Sequence, residues 1–334
     1  MMKRLFTLLC ALCSCLLPVL RKSAATVSAQ TGTTAYEFLN IPTSAHSAAL
    51  GGNNVSAVED DATFLFTNPA LIANVADKTL NFNYMSYMSS STKLSASFVK
   101  AAGERGTWAL GGQVVSYGKM KETTANFEQI GEFSASDIAI QGGYTYMLTD
   151  RWSGGVQGKV IMSNYGEFKS TGLAVDLGVN YYDVDKGFSF GLVAQNVGGQ
   201  VDALYDKTEK IPFNLAMGVS KDFANAPIRL SFTFQDLTHW DSDYYTVNDK
   251  KLSAGKRFIN HFALGADIFP SDQIWVALGY NFRRANEMKV LDSSHWAGFS
   301  LGGGISIKKF KVGVAYGKYH ASSSSVIVNA SYAL

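Results

Sequence analysis

The feature that most constrains the fold is an alternation of apolar with polar or small residues that recurs from Lys78 to the end of the chain. In its first segment Leu80, Phe82 and Tyr84 alternate with asparagines. A period of two is typical of a β-strand whose faces meet different surroundings. The pattern returns in fourteen segments of roughly ten residues, longer than the ~5 to 6 of globular sheets and close to the ~9 to 11 of a membrane-spanning strand.

The connections between these segments alternate in length. Even-numbered connections are short, as at 149–151 and 308–309, whereas most odd-numbered ones are long, as at 117–136 and 236–260. Short turns on one side, long loops on the other and an even strand count are typical of outer-membrane barrels. The sequence therefore predicts an all-β fold, a 14-stranded antiparallel transmembrane β-barrel over residues 78–334, in the bacterial outer membrane.

On this prediction the apolar face of each segment meets lipid and the polar face lines the interior, since lipid cannot satisfy polar groups. The predicted interior set includes Asn81, Gln113, Lys159, Asp176, Arg229 and Asp267. Trp108, Trp152 and Trp275 lie near segment ends, where aromatic girdles meet headgroups. A soluble all-β protein is the alternative, because alternation also occurs in sandwiches; the segment length argues against it.

Residues 1–29 are predicted to be a signal peptide. Lys3-Arg4 precedes an apolar run, and Val27-Ser28-Ala29 offers small residues for cleavage. Leu12 to Cys15 also resembles a loose lipoprotein box, but apolar residues continue past Cys15, which favours cleavage further on. All three cysteines fall in this leader, so disulfides and cysteine chemistry are not expected in the mature chain.

The charge balance gives no sign of a nucleic-acid partner. Removing the four basic residues of the leader takes Lys and Arg from 29 to 25 against 27 Asp and Glu, so the expected mature net charge is −2. Nucleic-acid binding would call for a basic surface.

Residues 30–77 do not alternate and are predicted to form an N-terminal plug inside the barrel. Asn68 is a favourable helix cap and Pro69 suits the first helical position, so a helix of about two turns is expected to begin there. The plug motif comprises Asp60, Asp61, Asn68, Pro69 and Ala70. Its carboxylates need not be catalytic, because a lumen can supply basic or backbone partners.

The ordered combination of Ser44-Ala45, Ala48 to Gly52, Asp60-Asp61-Ala62 and Asn68-Pro69-Ala70 resembles the FadL-like outer-membrane family, whose hatch carries an NPA motif. Residues 36–73 are most similar to the PorV/PorQ branch of the type IX secretion system. That resemblance implies a non-enzymatic component that anchors a surface partner of the PorZ kind and helps attach secreted cargo to the cell surface.

The wider family implies an alternative, the transport of hydrophobic small molecules, with a lipid bound in the lumen. The chain departs from many outer-membrane barrels at its end, which reads Tyr332-Ala333-Leu334 instead of closing on Phe or Trp.

Two outer loops are candidate partner-binding sites, because aromatic side chains beside carboxylates favour protein interfaces. The residues concerned are Trp240, Asp241, Asp243, Tyr244 and Tyr245 in the longest loop, and Phe127 and Phe133 in the loop over 117–136. Equally, the aromatic residues of the longest loop would suit the membrane interface, or fold the loop onto the barrel.

No catalytic, cofactor or metal site is predicted. Two S-x-x-K runs, at 90–93 and 306–309, match the spacing of acylating serine enzymes. Both lie at strand ends, where residues three apart face opposite ways, so a serine hydrolase is a weak third hypothesis. The five histidines lack paired ligand spacing.

Overall fold

The computed structural model describes residues 34–88, 91–123, 128–203, 208–240, 252–287, 296–320 and 323–334. They include fourteen strands in a closed barrel, in which each strand pairs with its chain neighbours and the last pairs with the first. The predicted strand count, antiparallel pairing and closure are confirmed. The strands are β1 (Thr79–Ser86), β2 (Thr92–Ala102), β3 (Gly106–Thr123), β4 (Gln129–Met147), β5 (Trp152–Tyr165), β6 (Phe168–Asp183), β7 (Phe188–Asp202), β8 (Asn214–Asp222), β9 (Ile228–Phe234), β10 (Phe262–Ser271), β11 (Ile274–Asn281), β12 (Phe299–Ile307), β13 (Phe310–His320) and β14 (Ser323–Ala333).

The helices are short. The α-helices are α1 (Ala45–Ala49), α2 (Ala254–Asn260) and α3 (Phe282–Glu287), and the 3₁₀ helices are Glu37–Asn40, Ala62–Phe66 and Pro69–Asn74. None of the helices in the described ranges is long and apolar enough to cross a membrane.

The two faces of the barrel wall have opposite polarity. Asn81, Asp176 and Asp267 are fully buried on the inner face, whereas Phe82 and Leu110 are 58% and 62% exposed on the outer face. The whole predicted interior set is buried as expected. A closed wall that is apolar outside and polar inside suits lipid, not water.

One member of the expected aromatic girdle lies elsewhere. Trp108 and Trp152 are 58% and 41% exposed on the outer face. Trp275 faces inward instead and stacks on the ring of His46, with 3.9 Å between the ring centroids. The girdle prediction is therefore wrong for Trp275. Successive residues of a strand face opposite sides of the sheet, so the position in this alternation, and not the distance from the strand end, decides which face a residue occupies.

The connection predicted over 117–136 is mostly strand. β3 has 18 residues and β4 has 19, and they pair as far as Thr123 and Gln129. At about 3.3 Å per residue such strands are longer than a tilted crossing of the ~30 Å hydrocarbon core requires. Their far ends therefore extend the wall beyond the membrane as a hairpin.

Residues 34–77, called the inner segment from here on, lie in the lumen and pack against inward-facing side chains. Among the described residues, four apolar clusters join this segment to the wall, the smallest of them formed by Val55 with Val193 and Ala216. Leu50 packs in the first, Leu65 in the second and Phe38 in the third. The apolar core of the protein is therefore the contact layer between the inner segment and the barrel.

Candidate functional site

The backbone of the inner segment is held by side chains of the wall. Most of this segment is irregular, so many of its carbonyls have no helical partner, and burial makes an unpaired carbonyl costly. Inward-facing residues supply the donors. The donor–acceptor pairs are Ser97 to Ala62 (3.1 Å), Gln141 to Leu65 (3.0 Å), Gln195 to Thr67 (2.6 Å), Ser153 to Ala70 (2.9 Å), Asn281 to Gly51 (3.0 Å) and Ser300 to Ala49 (2.9 Å).

Asn68 caps the last helix of the inner segment, as the sequence predicts. Its Oδ1 accepts from the backbone N–H of Ala70 at 3.1 Å, and its Nδ2 donates to the carbonyl of Val55 at 2.9 Å. Pro69 begins the helix, which is 3₁₀ in form. Asn68 thus ties the helix start to an earlier stretch of the same segment.

The Asn68-Pro69-Ala70 turn lies directly against two glycines of the wall. A Cβ at Gly155 would come within 2.5 Å of the Pro69 carbonyl carbon, and one at Gly178 within 2.1 Å of the Asn68 Oδ1. Such distances are far inside van der Waals contact. Only glycine at these positions lets the wall approach the turn so closely.

The two aspartates before this turn have structural partners. Asp60 accepts from the backbone N–H of Ala76 at 2.7 Å and forms an ion pair with Lys311 of the wall. Asp61 accepts from the Thr63 N–H and from the Ser44 hydroxyl, each at 2.9 Å. Burial raises the pKa of Asp61, although these hydrogen bonds oppose the shift.

A buried charge cluster joins the inner segment to β9 and β10. His46 Nδ1 lies 2.6 Å from Glu59, and its Nε2 lies 2.6 Å from Asp267. Arg229 contacts Glu59 at 2.5 Å and Asp222 at 2.6 Å. Because a neutral imidazole has one donor only, hydrogen bonds to two carboxylates require the protonated ring.

Electrostatics of the cluster support the charged ring. Burial alone would lower the pKa of His46, but the charges of Glu59 and Asp267 outweigh it and raise the pKa to about 10. Burial alone would likewise raise the pKa of Glu59, yet His46 and Arg229 lower it to about 2. The cluster is therefore a hydrogen-bonded ion network at neutral pH.

His46, Glu59 and Asp267 also have ligand atoms within 4.8 Å of one another, which is the arrangement of a metal site. However, both nitrogens of His46 already face carboxylates, and the guanidinium of Arg229 lies beside Glu59. Imidazolium and guanidinium together supply the positive charge that a cation would bring. The geometry favours the ion network.

At the outer rim, Trp240 packs against the barrel. Its ring centroid lies 5.8 Å from that of Phe234, 6.3 Å from that of Phe258 and 4.1 Å from that of His261. The indole N–H donates to the carbonyl of Leu237 at 2.6 Å, and 43% of Trp240 stays exposed. Trp240 thus packs on the wall, and the residues that follow it in the loop, 241–251, lie outside the described residues.

The other loop candidates are less informative. Phe133 is half-buried in β4 and pairs with Met120, so it belongs to the hairpin extension instead of a free loop. The remaining candidates lie outside the described residues: Asp241, Asp243, Tyr244, Tyr245 and Phe127.

The charge cluster and the aromatic residue Phe258 are not among the site residues predicted from the sequence. His46 looked isolated because its partners are 13 and 221 residues away along the chain. The available signal was a set of charged residues at inward positions of the strands, since a buried charge calls for a partner. Phe258 is 50% exposed on α2, beside Trp240.

No protein-family model matches the sequence, and no curated protein matches it. Solved structures do match. A TodX deltaS2S3 mutant monoaromatic hydrocarbon channel has a TM-score of 0.60 at 13% identity, over 88% of this chain and 99% of its own. The Ralstonia pickettii toluene transporter TbuX gives 0.55 at 14%, over 88% and 98%, and a Pseudomonas aeruginosa FadL homologue gives 0.53 at 12%, over 88% and 99%.

Identities this low establish the fold and nothing finer. The closed wall, its apolar outer face and the long connections after β7, β9 and β11 add the membrane setting. The chain therefore has the FadL-type fold, a closed 14-stranded antiparallel β-barrel of the bacterial outer membrane.

Proposed function

We propose that this protein is an outer-membrane component of the type IX secretion system, of the PorV/PorQ kind. In this role it anchors a surface-exposed partner of the PorZ kind, within the complex that attaches secreted cargo to the cell surface. Its action is positional: the barrel fixes the location in the membrane, the inner segment fills the lumen, and the outer connections hold the partner.

The observation that carries this proposal is the fit between the inner segment and the wall. The run that resembles the PorV/PorQ branch, residues 36–73, is the part of the chain whose carbonyls receive the wall donors. The same run is also held by the Asp60–Lys311 ion pair and by the His46 cluster. A lumen filled in this way suits an anchor better than a passage.

Transport of hydrophobic small molecules is the second candidate. The solved neighbours are described as hydrocarbon channels and a toluene transporter, and on that ground they favour transport over secretion. One region of the lumen is also apolar, where Phe38 packs with Val115 and Ile161. Transport would require the inner segment to move, because its contacts span the wall.

A disulfide lock separates the two functions. The hydroxyls of Ser56 and Ser220 are 2.8 Å apart, one on the inner segment and one on β8, a separation that suits a bridge between cysteines. Since the predicted mature chain has no cysteine, an S56C/S220C variant would form this bridge alone. Anchoring should be unchanged in the oxidised variant, whereas transport should stop and return on reduction.

The anchoring arm is a pull-down from outer membranes in mild detergent. The expected result is that a surface protein is recovered together with the barrel in a stoichiometric amount. This partner should be lost when residues 241–251 are replaced by a short Gly-Ser linker. Trp240 and α2 are kept because they pack on the wall. Replacing residues 288–295, in an outer connection that carries no candidate partner-binding residue, by a Gly-Ser linker of the same composition is the control for general damage, and heat-modifiable gel mobility reports an intact barrel. Recovery of the barrel alone with a bound hydrocarbon would refute the anchor.

A further inference from the structure

The lipid-facing wall is not smooth. A groove of about 530 Å³ crosses the outer faces of β2 to β5, which is within the range of about 300 to 1,000 Å³ found for ligand pockets. Gly142 and Gly158 form its floor, side by side on paired strands, and a Cβ at Gly158 would meet nothing within 4 Å. The hollow exists because two neighbouring strands carry no side chain there.

Aromatic and aliphatic side chains border this floor. Phe98 and Leu110 lie on one side, while Trp108 and Tyr144 form a ring pair, 4.7 Å between centroids, toward the short turns. Trp and Tyr rings are enriched where the hydrocarbon core meets the headgroups. The groove therefore runs from the headgroup level of the inner leaflet into the apolar core.

A lysine stands at the headgroup end of the groove. Lys100 lines it, faces outward and pairs across the ladder with Trp108, close to the β2–β3 turn. Lys100 forms no ion pair or hydrogen bond through its side chain with any described residue. A cation at the membrane surface attracts anionic headgroups, and its long stem lets the ammonium reach the interface.

We propose that this groove is a specific site for an anionic glycerophospholipid of the inner leaflet. One acyl chain lies on Gly142 and Gly158 between the flanking rings, and the phosphate contacts Lys100. Two other occupants fit the groove less well. A hydrocarbon has no charged group to pair with the ammonium of Lys100. A β-strand of a partner protein would need unpaired backbone groups on the barrel, and the described wall is a closed ladder.

Association inside a bilayer gains little from the hydrophobic effect, because other lipids are equally apolar. Close packing against the small floor residues and charge attraction must supply the preference. One lysine near an anionic surface accounts for about a five-fold preference. The site should thus prefer lipids with an anionic headgroup, and binding should also depend on the space left by the glycines of the floor.

Native mass spectrometry of the full-length protein tests the site. Delipidated protein is titrated with palmitoyl-oleoyl phosphatidylglycerol, and separately with phosphatidylcholine carrying the same chains. The expected result is one tightly retained phosphatidylglycerol. Lys100→Gln should weaken retention about five-fold, and Gly158→Leu should reduce it to the level of phosphatidylcholine by filling the floor.

Two variants serve as matched controls. Ala266→Leu also puts a leucine on the outer face of β10, adding three side-chain carbons where Gly158→Leu adds four, and Lys309→Gln removes a cation from another short turn at the same end of the barrel. Both should bind phosphatidylglycerol like the unaltered protein. Equal retention by Gly158→Leu would overturn the proposal, as would equal affinity of the unaltered protein for both lipids, a comparison that needs no variant. Recovery of a protein or a hydrocarbon in the groove would also overturn it.

Discussion

Gly155 and Gly158 lie on the same strand, three residues apart, and face opposite sides of the wall. Gly155 faces the inner segment, where an added Cβ would lie 2.5 Å from the Pro69 carbonyl carbon and 2.6 Å from the Ala70 nitrogen. Gly158 faces outward, and its added Cβ would meet nothing within 4 Å. Alanine at each position therefore makes the same chemical change with different consequences inside the lumen.

The size of the effect follows from those contacts. Both clashing atoms are backbone, so no side-chain rotation relieves them, and the turn must move by about 1 Å to reach ordinary contact. Overpacking of this kind costs about 1–3 kcal/mol. Each Gly→Ala change also restricts the unfolded chain, a stabilisation of about 0.4–1 kcal/mol that cancels when the two variants are compared. Gly155→Ala should therefore be less stable than Gly158→Ala by about 1–3 kcal/mol.

Guanidinium unfolding in detergent micelles measures the difference in the free energy of unfolding. Limited proteolysis adds a local readout, because a displaced inner segment should be cut before the barrel opens. Gly158→Ala should match the unaltered protein to within about 0.5 kcal/mol after allowance for the chain-entropy gain. Equal stabilities for both variants, with equal proteolysis, would refute the contact between the wall and the Asn68-Pro69-Ala70 turn.

Three further predictions concern the inner segment. The stabilisation from protonated His46 should be complete below pH 6.5 and be lost as pH rises toward about 10, because folding raises the pKa of His46 from 6.5 to about 10. His46→Gln should remove this dependence of the free energy of unfolding on pH. The stabilisation from ionised Glu59 should be complete above pH 4.5 and be lost as pH falls toward about 2, since its pKa is lowered from 4.5 to about 2; Glu59→Gln should flatten the acid limb. Asn68→Ala should lower the free energy of unfolding by about 1–3 kcal/mol, because it removes the cap and leaves the buried Val55 carbonyl without its donor; an unchanged unfolding curve would contradict that role.

The barrel could be predicted from the sequence because its signal is local. Alternation along each segment decides which residues face lipid, and the order of short and long connections decides the pairing. Asn68 and Pro69 could likewise be assigned, since a cap and a first helical residue are neighbours in the chain. Both signals lie between residues that are neighbours in the chain.

The contacts of the lumen could not be predicted in the same way. Parity shows that Gly155 faces inward, but not that Pro69 lies against it, because the register between an irregular segment and a sheet leaves no period in the sequence. His46 and Asp267 are 221 positions apart. The reach of the β3–β4 hairpin was also missed, since residues beyond the membrane no longer need one apolar face.

The way the inner segment is held also decides which substitutions should release it. Each wall donor contributes only about 0.5–1.5 kcal/mol net. Loss of a single donor such as Ser97 should cost at most about 1–3 kcal/mol, because the buried carbonyl of Ala62 is left unpaired, and the remaining donors should still hold the segment. A backbone clash at Gly155 or the loss of charge at His46 should destabilise the inner segment in a different way from the loss of one wall donor. The first moves the chain itself, and the second leaves Glu59 and Asp267 buried with less compensating charge, which is costly in a low-dielectric interior. Since the pKa values of His46 and Glu59 are about 10 and about 2, neither group changes its charge between about pH 4 and pH 8. The ion network should therefore stay closed over that range, as an anchor requires, and opening the lumen for transport would need a trigger other than pH.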